Sequence, residues 1–132
     1  MMDIEANQKD ATYEQIRACC QVLDAKKAEN IKILCVKGIS SITDYFVIAT
    51  GNSDPHLRAL GKYVNEALEP FDADTTGTNP NDRSGWAVVD AYDFIVHIFT
   101  KEVRERYNLE GLWKDAETIP LEEYVPLIAV NS

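Results

Sequence analysis

The sequence predicts a single α/β domain in which a mixed β-sheet of four to five strands is flanked by helices. The chain has 132 residues, of which 45% are hydrophobic, and this size suits one domain with a buried core. Apolar stripes at helical spacing alternate along the chain with short runs rich in β-branched and aromatic residues. No apolar run approaches the roughly 20 residues that span a bilayer, so we expect a cytoplasmic protein.

The first predicted helix covers residues 13–27 and follows an N-terminal extension, residues 1–12. Thr12 and Gln15 form a capping box that marks its start. Amphipathic spacing then defines one face, made of Ile16, Cys19, Cys20, Leu23 and Lys27. The chain has three cysteines and no C-x-x-C pair, which favours reduced and buried thiols.

Two strands and a second helix are predicted next. The strands cover residues 31–37 and 44–50, the latter rich in aromatic and β-branched residues. Ser53 is the expected N-cap of the helix and Pro55 lies in its first turn. Pro70 ends it. The buried stripe of this helix is expected to consist of Leu57, Leu60, Gly61, Val64 and Leu68.

The second half of the chain is expected to form a loop, a hairpin and two short helical segments. Residues 70–85 form the loop, with an extended stretch near residues 74–76. A two-residue loop at Ala91-Tyr92 would place Trp86 opposite His97 in the hairpin. A helix over residues 101–107 and a helical turn over residues 109–113 follow. The tail, residues 117–132, is expected to lie extended across the body or across a partner.

The predicted hairpin has two different faces. One face is wholly apolar and suits a core; it consists of Ala87, Val89, Phe94, Val96 and Ile98. The other face mixes apolar, acidic and histidine side chains; it consists of Trp86, Val88, Asp90, Asp93, Ile95, His97 and Phe99. Two interpretations of this mixed face remain equally open. It is either a protein-binding surface, or a second core layer under a helix in which hydrogen bonds satisfy Trp86 and His97.

The net charge of −9 is confined to part of the chain. Residues 1–37 contain six basic and six acidic groups, whereas residues 38–132 contain seven basic and sixteen acidic groups. Nucleic-acid binding depends on clusters of lysine and arginine, and the sequence has none, so we expect no direct nucleic-acid binding. The acidic excess suits a basic protein partner, or it serves solubility alone.

Catalytic and metal-binding motifs are weak in this sequence. Its two histidines and three cysteines lack the spacing of a zinc site, and no P-loop is present. Gly51-Asn52-Ser53, at a strand-to-helix junction, offers backbone N–H groups to an anion. Asp72 and Asp74 form a D-x-D pair, but they lie in a loop rather than on a rigid strand. We therefore expect no enzyme activity, no metal and no cofactor, with a small nucleotide-handling enzyme as the alternative.

Two long motifs give the chain a resemblance to a known family. The first is residues 40–53, SSITDYFVIATGNS. The second consists of Trp86, Asp90, Asp93, His97, Arg104, Tyr107, Leu109-Glu110 and Leu112-Trp113. Together they resemble the pattern of the ribosomal silencing factor family, also called the Iojap-like family. The resemblance covers about residues 13–116, nearly the whole chain, and defines the expected domain.

The resemblance implies a fold, a partner and a set of contacts. It implies a nucleotidyltransferase-like α/β homodimer without established catalysis. It also implies binding to the fourteenth protein of the large ribosomal subunit, on the face that meets the small subunit, which blocks subunit joining and represses translation when nutrients are scarce. The residues expected to bind the partner are Asp44, Tyr45, Trp86, Asp90, Ala91, Asp93, His97 and Tyr107.

The chain departs from the family pattern in three places. Tyr92 stands where the family usually has glycine, and a tyrosine adopts a positive φ angle only at a cost. Residues 54–56 differ from the usual serine- and arginine-rich start of the second helix. The tail after Ala116 is longer than in the shortest members.

Overall fold

The computed structural model describes residues 3–71, 85–91 and 93–120, which form one five-stranded mixed sheet between two helical layers. This confirms the predicted α/β class. The elements in chain order are α1 (Asp3–Ala25), β1 (Glu29–Cys35), β2 (Tyr45–Gly51), α2 (Asp54–Leu68), a 3-10 turn (Glu69–Phe71), β3 (Trp86–Asp90), β4 (Phe94–Thr100), α3 (Lys101–Tyr107), α4 (Leu109–Leu112) and β5 (Glu117–Ile119).

The strand order of the sheet is β3-β4-β2-β1-β5. Strands β2 and β4 pair in parallel at its centre, whereas β1 with β2, β3 with β4, and β1 with β5 pair antiparallel. A parallel pair needs a crossover connection, and α2 lies in the chain between β2 and β4. The central strands β2 and β4 are buried almost along their whole length.

Helices α1 and α2 cover one side of the sheet and form the larger core with it. The predicted stripe of α2 is confirmed residue for residue, and Ser53 is its N-cap as expected. The predicted start of α1 is wrong, because this helix begins at Asp3 and Thr12 lies inside it. Residues 3–12 contain no glycine or proline, so helix continues through Thr12 at little cost.

The short helices α3 and α4 cover the other side of the sheet. Val103 of α3 packs with Phe46, Ile95 and Phe99 in a second apolar cluster, and Trp113 adds to its edge. Asn108 joins the two helices with a left-handed backbone, φ 48°, as C-cap of α3 and N-cap of α4. The predicted helix over residues 101–107 and the helical turn after it are both confirmed.

The register of the β3–β4 hairpin differs from the prediction by two residues. Trp86 lies opposite Phe99 instead of His97, and Ala91 donates a backbone hydrogen bond to the Phe94 carbonyl at 2.9 Å. This bond extends the pairing by one residue, so the chain reverses after Ala91, whose small side chain is buried in the core. A shift of two residues returns every side chain to the same face, so the predicted faces are confirmed.

The tail starts as predicted, since β5 lies extended along β1 and forms one edge of the sheet. Residues 121–132, the extended stretch predicted near residues 74–76, Tyr92 and the pair Asp72 and Asp74 lie outside the described residues. None of the helices among the described residues is long and apolar enough to cross a membrane.

Candidate protein-binding surface

Trp86 lies at the start of β3, at the margin of the layer formed by α3 and α4. Its ring centroid is 4.9 Å from that of Phe99 and 5.0 Å from that of Tyr107. The indole Nε1–H donates a hydrogen bond to Nδ1 of His97 at 3.2 Å. Because three neighbours hold the half-buried indole, its remaining surface is preorganised for contact with another molecule.

His97 lies beneath Trp86, with 9% of its surface exposed. Its ring stacks on Phe99 and meets Phe46 edge to face, with centroids 5.1 Å apart. Accepting the Trp86 hydrogen bond leaves the ring proton of neutral His97 on Nε2, which has no hydrogen-bond partner among the described residues. Burial lowers the pKa of His97 to about 4, against the opposing charge of Asp90, so the ring is neutral near pH 7.

One part of the mixed face of the hairpin is buried and another part is accessible to solvent. Ile95, His97 and Phe99 are buried and belong to the second core layer. Trp86 and Asp90 are half-buried on β3, and Tyr107 beside Trp86 is 55% exposed. Solvent therefore reaches a continuous margin of this face along β3 and the end of α3.

A second group of predicted residues lies where β2 and β4 begin. The Asp44 N–H donates to the Asp93 carbonyl at 3.1 Å, which fixes the two backbones side by side. The Asp93 side chain is exposed and Asp44 is half-buried. They line an open pocket of about 180 Å³ together with Ser40, Ser41, Ile42 and Thr43.

Two of the predicted contact residues lie on the opposite side of the sheet. Ala91 is buried in the core under α1 and α2, and Tyr45 packs half-buried against the same core. The structure therefore brings together Trp86, His97 and Tyr107 at one end of the hairpin, and Asp44 and Asp93 at the other. Asp90 lies on β3 between the two groups.

Arg104 anchors the layer that carries Tyr107, a role that the sequence did not reveal. Its guanidinium, 10% exposed, donates to the Asn30 carbonyl at 2.8 Å and to Thr50 Oγ1 at 2.7 Å. It also donates to Glu110 at 2.9 Å, and this bond is the main cause that lowers the pKa of Glu110. Lys32 reaches the other oxygen of the same carboxylate at 3.1 Å. One network therefore ties α3 and α4 to β1 and β2.

The strand-to-helix junction at residues 51–53 is occupied by the chain's own groups. Ser53 accepts from the His56 N–H at 3.2 Å, and the Asn52 N–H donates to His56 Nδ1 at 2.9 Å. The Asn52 N–H is one of the backbone donors that an anion at this junction would use, and it is already bonded within the chain. Within residues 12–71, 85–91 and 93–120, no three histidine, cysteine or acidic side chains converge as metal ligands would.

The chain is similar to known proteins along most of its length. A family model described as "Ribosomal silencing factor during starvation" matches residues 9–131. Ribosomal silencing factors from Bacillus subtilis and Halalkalibacterium halodurans are 36% and 35% identical over 116 and 112 residues. These matches cover 88% and 85% of this chain and 95% and 96% of those proteins. A crystal structure from Chromobacterium violaceum is 29% identical with a TM-score of 0.72, covering 76% of this chain and 84% of that one.

Proposed function

Because this chain belongs to the ribosomal silencing factor family, we propose that it represses translation by binding the large ribosomal subunit and blocking the joining of the subunits. The proposed partner is a basic protein of that subunit, namely the fourteenth protein of the large subunit. The observation that carries the proposal is the Trp86 ring, preorganised between Phe99, Tyr107 and His97 at an accessible margin. Such a mechanism needs occupancy of a site and no turnover.

Trp86 is the proposed anchor of the complex. A tryptophan that enters a partner pocket commonly contributes at least about 2 kcal/mol to binding. The indole here is already held by ring contacts and one hydrogen bond, so binding immobilises little further. Tyr107 extends the same contact, while His97 supports the indole from below.

Asp90 and Asp93 are proposed to supply charge complementarity to the basic partner. Asp90 is the last residue of β3, and Asp93 lies just before β4 with an exposed side chain. Exposed carboxylates steer the encounter more than they add affinity. Ala91 and Tyr45, on the far side of the sheet, are proposed to shape the strand ends instead of facing the partner at the Trp86 margin.

We further propose that the protein is a cytoplasmic homodimer, without enzyme activity, and that residues 13–116 form its silencing domain. The Asn52 N–H at this strand-to-helix junction is already bonded to His56 Nδ1, which supports the absence of nucleotidyl transfer. Sedimentation equilibrium at tens of micromolar should give the dimer mass. Incubation with labelled nucleoside triphosphates and Mg²⁺ should leave candidate acceptors unmodified; transfer above background would instead favour the enzyme alternative.

The decisive experiment compares binding and inhibition by two tryptophan variants. Trp86→Ala should weaken binding to purified large subunits by roughly 30-fold, equivalent to about 2 kcal/mol. Trp113→Ala is the matched control, because Trp113 packs in the same layer against Phe46. Sucrose-gradient co-sedimentation measures binding, and translation with pre-split subunits measures inhibition, at equal folded concentrations. Equal inhibition by wild type and Trp86→Ala, or wild-type binding to the small subunit, would contradict the proposal.

A further inference from the structure

The loop between β1 and β2 exposes two large apolar side chains beside the acidic pocket. Ile42 is 69% exposed and Ile39 is 51% exposed. A single exposed apolar side chain is ordinary on a protein surface. These two lie three residues apart, and Ile42 also lines the pocket that contains the carboxylates of Asp44 and Asp93.

Backbone hydrogen bonds hold this loop in place. The Ile39 and Ser40 N–H groups donate to the Val36 carbonyl at 3.0 and 2.8 Å, and the Ile42 N–H donates to Ser40 Oγ at 3.2 Å. Val36 itself donates to the Asp44 carbonyl at 2.8 Å, which closes the loop at its base. The exposed isoleucines are therefore presented on a fixed backbone, and their β-branched side chains have few rotamers to lose on binding.

We propose that Ile42 is a second anchor for the same basic partner, at the opposite end of the hairpin from Trp86. The occupant is a protein segment that carries an apolar side chain next to a lysine or arginine. The apolar side chain would cover Ile42, and the basic group would lie between the Asp44 and Asp93 carboxylates. The composition of the pocket supports this choice, because the described residues that line it include two aspartates, two serines and a threonine but no lysine or arginine.

This inference rests on the proposed function and names where the partner makes its second contact. The backbone bond between Asp44 and Asp93 joins the loop to the start of β4, so the pocket and the Trp86 margin belong to one rigid sheet. A partner that spans both ends of the hairpin is held at two points. Removing either point should weaken binding without abolishing it.

Purified large subunits serve as the binding probe for a small set of variants. Ile42→Ser should weaken binding about 10-fold, equivalent to about 1.4 kcal/mol, and Ile42→Val should stay within about 2-fold of wild type. Phe71→Ser is the control, because Phe71 is an exposed apolar residue that follows α2 on the other layer. It should bind like wild type. Thermal unfolding should show equal stability for Ile42→Ser and wild type, since the side chain is largely exposed.

A double-mutant cycle tests whether one segment contacts both the isoleucine and the acid. Asp93→Asn should weaken binding, and the double variant with Ile42→Ser should lose less than the product of the two single effects. If Trp86→Ala binds large subunits weakly while Ile42→Ser binds them like wild type, the second anchor is refuted and the proposed function stands. If wild type itself does not bind the large subunit, both proposals fail.

Discussion

Replacing the buried His97 by asparagine should remove the contribution of His97 to the protein's loss of stability at mildly acidic pH. Asparagine does not titrate, and its amide oxygen can accept the Trp86 Nε1–H bond that Nδ1 accepts in the wild type. In the wild type, folding holds the imidazole neutral because its burial disfavours the charged form. The unfolded chain, by contrast, takes up a proton at His97 at its ordinary pKa.

The size of the effect follows from the pKa of His97, which is 6.5 when unperturbed and about 4 in the folded protein. The folded pKa is depressed, so this contribution to stability is complete above pH 6.5 and is lost as pH falls towards 4. The whole shift corresponds to about 3 kcal/mol, of which about 2 kcal/mol is lost between pH 7 and pH 5.

Urea unfolding at pH 7 and pH 5 measures this difference directly. The wild type should lose about 2 kcal/mol more than His97→Asn between the two pH values. The two proteins differ only at residue 97, so contributions from the rest of the chain cancel in the comparison. A pH-independent cost of the lost ring volume in His97→Asn also cancels. An equal loss of stability in the two proteins would show that His97 is not held neutral by the fold.

Two further predictions concern a glycine and the thiols. Gly85→Ala should cost about 2 kcal/mol in urea unfolding, because φ is +68° and an added Cβ would lie 2.8 Å from a methyl group of α3. Gly38→Ala, at φ +87° with open space around it, should cost less, and equal costs would contradict the steric argument. In native protein Ellman's reagent should modify Cys35 quickly, whereas Cys19 and Cys20 should react only after unfolding. Cys19 and Cys20 are both buried, and burial raises the pKa of the Cys20 thiol to about 12. Fast reaction of all three thiols would therefore refute this packing.

The elements that the sequence predicted best are those with a strong period and a clear end. Helix α2 has Ser53 at its start, five buried residues at helical spacing and Pro70 after its end. The start of α1 was missed because nothing in residues 3–12 stops a helix. Strand β5 was not defined, since three residues are too few to show alternation. The hairpin register was wrong by two residues because alternation alone cannot distinguish even shifts.

Only part of the candidate site was predicted from the sequence. Alternation and the family pattern pointed to Trp86 and Tyr107, and both lie at the accessible margin. Arg104 bonds to Thr50 and Asn30, which are 54 and 74 positions away from it in the chain. No local sequence pattern reveals contacts between residues so far apart. The exposure of the Ile42 side chain could not be predicted from the sequence either, because an apolar residue in a loop can be buried or exposed.

The parallel pairing of β2 with β4 decides the order in which this chain can fold during its own synthesis. Tyr45 of β2 lies opposite Phe94 of β4, and all of α2 and β3 is made between them. The edge of β2 that pairs with β4 therefore stays unpaired until synthesis has passed Thr100, while the antiparallel β1–β2 pair forms early. Bringing β2 and β4 together costs loop-closure entropy before the contacts between them form. This pairing is therefore the slow step of folding. A chain released before Thr100 lacks a complete β4, and the unpaired edge of its β2 is open to aggregation.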